Sequence, residues 1–97
     1  MKGDGRVQYI VYDLKEQQKG SLVEIKINMP ANIHLIDKVN LDYMKHHREY
    51  KDYGGLAMST PFRVTIPEDR HWYILIDMVT NLKYSVTVYP PWVAKNF

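Results

Sequence analysis

Cysteine is absent from this 97-residue chain. That removes disulfides, thiolate metal sites and cysteine nucleophiles together. Charge of one sign is also scarce. Thirteen Lys and Arg stand against eleven Asp and Glu, a net charge of +2. So small an excess does not grip a polyanion, and nucleic acid is not an expected partner. No apolar run approaches the ~20 residues of a membrane span. The opening Met1-Lys2-Gly3-Asp4-Gly5-Arg6 lacks the apolar stretch of a signal peptide. A cytoplasmic protein without a membrane segment is the resulting expectation. There is no internal repeat and no low-complexity segment.

What is present suits one domain over residues 1–97. Hydrophobic residues make up 45% and charged residues 25%, an ordinary globular balance that excludes a disordered chain. The Gly-rich head Met1–Arg6 reads as flexible, and Pro90–Phe97 as an apolar tail. Between them, short β-rich segments alternate with turn signals. Val7–Tyr12 is rich in β-branched and aromatic residues, and Lys15–Gly20 is a polar connection. Ser21–Met29 carries the cleanest period of two: Val23, Ile25, Ile27 and Met29 point one way, and Glu24, Lys26 and Asn28 point to water. Ile33–Ile36 is a short strand. Asp37 is placed to cap a helix over Lys38–His47, where Leu41 and Met44 share a face. Tyr50–Ala57 mixes aromatics with a Gly pair that permits positive φ, and reads as a tyrosine-rich loop.

Pro61–Pro67 is a strand with Phe62, Val64 and Ile66 inward, and its flanking prolines suit a sheet edge. His71–Asp77 is apolar on both parities, which marks a central strand covered on both faces. Tyr84–Tyr89 alternates again, and the expected arrangement is a hairpin with the preceding strand. Strands so short and closely spaced predict a small antiparallel all-β sandwich or partly open barrel, with one short helix or helical turn.

The second half carries a more specific pattern. Tyr50-Lys51-Asp52-Tyr53-Gly54-Gly55-Leu56-Ala57 is followed by Thr60-Pro61-Phe62-Arg63-Val64-Thr65-Ile66-Pro67 and then by His71-Trp72-Tyr73-Ile74-Leu75-Ile76-Asp77. In the first half Asp13-Leu14, Lys19-Gly20-Ser21, Ala31-Asn32-Ile33 and the segment ending at Asp37 fit the same pattern. Over roughly Tyr9–Val88 the chain resembles a family of small bacterial domains of unknown function, found alone or fused to Toll/interleukin-receptor-like (TIR) domains. It departs from that pattern at Arg70, where a Gly usually precedes the His-Trp pair, and at Met78-Val79-Thr80, where a Gly-rich turn is usual. The resemblance implies a compact all-β fold and no established activity. The TIR fusions imply a sensing or adaptor module in bacterial signalling or defence.

No constellation argues for an enzyme. The adjacent His46 and His47 diverge on a helix, and no His-x-x-x-His spacing exists. His71 and Asp77 lie at opposite ends of one strand, so they do not form an acid–base pair. Ser59-Thr60 lacks a nucleophile-elbow motif. No catalytic residue, metal or cofactor is therefore nominated. The stretch Lys45–Tyr53 interleaves cations and aromatics. With the amides of Gly54 and Gly55 and the fork of Arg63, it forms a candidate site for a small nucleotide-like or other anionic ligand. The candidate residues are Arg48, Tyr50, Tyr53, Gly54, Gly55, Arg63 and His71. The same residues also read as a loop packed over one end of a sandwich.

Eight tyrosines, with Trp92, Val93 and Phe97 beyond Pro90-Pro91, are more aromatic surface than a small core hides. Trp92, Val93 and Phe97 are candidate interface residues for a protein partner or self-association, unless the tail docks on its own sheet. The leading expectation is a non-enzymatic interaction or sensor module acting through the surface around Arg48–Gly55. The alternative is the anion pocket.

Overall fold

The period-two segments become strands, and their inward residues meet. The computed structural model describes residues 8–58 and 60–97. The predicted head Met1–Arg6, the first residue of the predicted first strand (Val7) and Ser59 lie outside the described residues. Along the chain run β1 (Tyr9–Gln17), β2 (Leu22–Ile27), β3 (Ala31–Asp37), α1 (Lys38–Lys45), β4 (Tyr53–Ala57), β5 (Phe62–Thr65), β6 (Arg70–Asp77), β7 (Tyr84–Tyr89) and α2 (Pro91–Ala94). They form two antiparallel sheets, a four-stranded one ordered β1-β6-β3-β4 and a three-stranded one ordered β5-β2-β7. The result is a sandwich.

Val23, Ile25 and Ile27 of β2 pack against Ile33 and Leu35 of β3 and against Trp72, Ile74 and Ile76 of β6. Each such side chain, once fully buried, stabilises the fold by about 1.5–3 kcal/mol. The Trp72 indole N–H donates to the Glu68 carbonyl at 2.9 Å, so its polar atom is satisfied inside the core. As predicted, β6 is central and covered on both faces. Its outward Leu75 packs with Ile36 and Leu41, and Met44 and Tyr73 close that second cluster under α1. The predicted cap also forms. The Asp37 carboxylate accepts the Asn40 N–H at 2.8 Å, satisfying one of the helix's free donors.

Four expectations are corrected. Tyr84–Tyr89 does not form a hairpin with β6. It crosses to the other sheet and pairs with β2, from Leu22 opposite Tyr89 to Ile27 opposite Tyr84. Asn28 fixes that crossing: its side chain donates to the Asn81 carbonyl at 3.0 Å and accepts the Lys83 N–H at 2.7 Å.

Tyr53–Ala57 is a strand rather than a loop, because Gly54 and Gly55 stay extended at φ +124° and +151°, which glycine adopts readily and other residues rarely do. β1 continues through Gln17, beyond the predicted Tyr12. A register shift between Asp13 and Lys15 turns Leu14 into the core, and the Asp13 carboxylate accepts the Lys15 N–H at 2.7 Å. Glu24 is buried rather than wet, because Arg63 stands opposite it on β5 and donates from Nε at 2.9 Å.

Candidate functional site

A sheet edge exposes backbone donors and acceptors that another chain can pair with. In the four-stranded sheet β4 is one such edge. Its sequence Tyr-Gly-Gly-Leu-Ala, and Met58 after it, carries no charge and no proline. Tyr53, Leu56 and Met58 are 46%, 59% and 69% exposed. Gly54 is required where it sits, since any Cβ there would overlap the Ile33 carbonyl of β3. The strand therefore lies close against β3 while its other side faces outward.

The approach to this edge is anchored at three points. The Lys51 N–H donates to the Asn40 side-chain oxygen at 2.8 Å. Asp52 and the His34 Nδ1 of β3 are 2.8 Å apart. The Tyr53 ring meets Trp72 edge-on, 6.0 Å between centroids. Tyr9 stands edge-on to His34. Burial first, then the nearby Tyr50, Asp77 and Asp52, push its phenol above the ordinary value. A strand held this way loses little further freedom when it binds.

The seven predicted ligand residues fall into separate neighbourhoods. Tyr53, Gly54 and Gly55 form the first part of β4. Tyr50 and Arg48 belong to the segment before it, with the Arg48 guanidinium 5.1 Å from the Tyr43 ring centroid. Arg63 lies on the outer face of the other sheet, paired with Glu24. His71 lies at the β1 side of the first sheet, stacked on Tyr73, its Nε2 2.6 Å from Asp13 and its Nδ1 3.5 Å from Glu16. Tyr53 and Arg63 line different cavities. Arg48, Tyr50, Tyr53, Gly54 and Gly55 are neighbours along the chain, in β4 and the segment before it, while Arg63 and His71 stand apart from them.

Tyr53 borders a polar cavity of about 240 Å³ with Asp37, Asn40, Lys51, Glu68, Arg70 and Trp72. The Arg70 guanidinium donates to Asp37 at 2.7 Å. Burial works to raise the Asp37 carboxyl, but the Asn40 N–H, Arg70 and the Asn40 amide outweigh it and hold it below its ordinary value. Arg70 directly precedes the His71-Trp72 pair in the sequence. Its long-range partner is invisible there, as is the pairing of Asp52 with His34. The one sequence signal for His34 was its place opposite in parity to Ile33 and Leu35.

The tail residues also separate. Phe97 folds back onto Tyr89, 4.7 Å between centroids, beneath the Arg63 guanidinium at 5.7 Å. Val93 is half-buried, while Trp92 remains 64% exposed. Among the described residues, no group of three or more His, Asp or Glu is arranged to hold a metal. The rings of His34 and His71 pair with carboxylates and, among those residues, with no Ser or Thr hydroxyl.

A family model described as "Domain of unknown function (DUF1883)" matches residues 7–91. The chain belongs to that family. No significant match is found among curated proteins or solved structures.

Proposed function

We propose that this DUF1883 domain is a non-enzymatic interaction module that takes an extended segment of another chain against the edge strand β4. The observation that carries this reading is the uncharged, proline-free edge Tyr53–Ala57, with Tyr53, Leu56 and the following Met58 exposed. Strand addition draws affinity from main-chain hydrogen bonds and specificity from alternate side chains. Here Leu56 and Gly54 lie on one face of the strand and Tyr53 and Gly55 on the other, as their β3 partners show. The incoming segment would lie beside the exposed Leu56 and Met58, with the exposed Tyr53 on the opposite face of the strand from Leu56. Arg48 and Lys51, both exposed in the segment leading into β4, supply cations at its start.

The resemblance to domains fused to TIR modules fits this role. An adaptor or sensor in bacterial cytoplasmic signalling works by holding a partner rather than by turning over a substrate.

The test is selection of short peptides against the immobilised domain, followed by amide mapping and by Leu56→Lys. Selected peptides should be extended, should protect β4 amides and should bind at least about tenfold more weakly to the Lys variant, because a charge on an edge opposes strand pairing. Failure to select any peptide, or binding that maps elsewhere and ignores Leu56→Lys, would overturn the reading.

A further inference from the structure

The other sheet carries a second site, independent of β4. Between its outer face and the returning tail lies a cavity of about 540 Å³, within the range of small-molecule sites. Gly20, Leu22, Arg63 and Thr65 line it from the sheet, and Pro91, Ala94, Lys95 and Phe97 from the tail. We infer that this cavity binds a small organic monoanion with a flat apolar body.

The lining is two-sided in chemistry. Leu22 is a buried apolar residue on the outer parity of β2, opposite Thr65 and Tyr89. Pro91, Ala94 and the Phe97 ring add apolar walls, and Phe97 is 63% exposed although its ring meets Tyr89. A planar body would cover that apolar surface.

Two cations converge on the same cavity. Arg63 uses Nε toward the buried Glu24 at 2.9 Å, which fixes the plane of its guanidinium and leaves the two Nη groups for a ligand. Among the described residues Glu24 is the carboxylate paired with Arg63, and none is paired with Lys95. Among the lining side chains and their partners, two cations, Arg63 and Lys95, stand against the one carboxylate of Glu24, and the second cation is the one a monoanion would pair with. Thr65, also on the lining, carries a hydroxyl able to donate. The guanidinium already lies over the Phe97 ring, so an aromatic anion meets a charge-and-ring pair that recognises both of its parts.

The experiment titrates the full chain with 1-naphthoate and with its uncharged counterpart 1-naphthalenemethanol, following amide shifts by NMR. The expected result is saturable one-to-one binding of naphthoate with shifts confined to Gly20–Leu22, Arg63–Thr65 and Pro91–Phe97. The alcohol, Lys95→Gln and Arg63→Gln should each bind about tenfold more weakly, as loss of a charge-assisted contact requires. Lys95→Gln disturbs no buried group, so it keeps the test valid where Arg63→Gln unsettles Glu24. Non-saturating shifts, equal affinity for the alcohol, full affinity in Lys95→Gln, or shifts centred on β4 would overturn the inference.

Discussion

β4 and β5 are both edge strands, yet they meet the hazard of an open edge in opposite ways. β5 has four residues, lies between Pro61 and Pro67, and carries Arg63 bound to Glu24. Short length, prolines and charge are the standard means of blunting an edge. β1 and β7 are the remaining edges among the described strands. β1 is bent by its shift at Asp13/Lys15 and carries Asp13, Lys15 and Glu16. β7 is uncharged like β4, but it stops at Pro90 and its Tyr84 ring meets Tyr12 of β1 edge-on. β4 is also short, at five residues, but it carries no charge, no proline and no register shift. On the proposed reading, β4 is the edge kept open for pairing.

The comparison can be broken from the core outward. Trp72→Ala removes the ring that supports both the core and Tyr53 of β4. It should cost about 3–5 kcal/mol in urea unfolding. A loss under about 1 kcal/mol would mean that Trp72 does not buttress β4. Gly54→Ala forces a Cβ onto the Ile33 carbonyl at a φ of +124°. Its expected cost is about 2–3 kcal/mol, with amide exchange accelerated in β4 and little changed in β5. Uniform acceleration over both edges would erase the distinction drawn between them.

Smaller effects sharpen the contrast. The Asp37 carboxyl, at the end of the sheet where β4 begins, is held below its ordinary value of 3.8. A carboxylate whose folded pKa is depressed stabilises the fold above its unfolded pKa. That contribution fades as pH falls through the folded value. The urea midpoint of the wild type should therefore drop more steeply below about pH 4 than that of Asp37→Asn. Parallel acid limbs would show that Asp37 is not stabilised by its Arg70 and Asn40 partners. The smallest expected stability change belongs to Leu56→Lys, within about 0.5 kcal/mol, although it should abolish most of the strand pairing at β4. A large stability loss in that variant would mean Leu56 is structural rather than a binding residue.

Much of the fold was legible because alternation is a local signal. Val23, Ile25 and Ile27 declared the core face of β2, and the doubly apolar His71–Asp77 declared a central strand. Asp37 was readable as a cap from its place before Lys38. The errors share another cause: they depend on distant partners or on glycine. Glu24 looked wet because Arg63 lies 39 residues away in sequence. β7 looked like the second half of a hairpin because alternation does not say which sheet a strand joins. Tyr53–Ala57 looked like a loop because a Gly pair usually marks a turn, while here both glycines remain extended.

The candidate site was legible only as a segment. Arg48–Gly55 is contiguous in the chain, whereas Arg63 and His71, which share its residue types, belong to other surfaces. The apolar tail was visible as surplus aromatic surface, but its return onto Tyr89 and Arg63 required the fold.

The most direct test of the account is an amide shift and exchange map of the domain saturated with a selected strand-forming peptide, read at β4 and β5 in the same sample. The account predicts protection across Tyr53–Met58 with Phe62–Thr65 silent. Protection centred on β5, or none at β4, would contradict it.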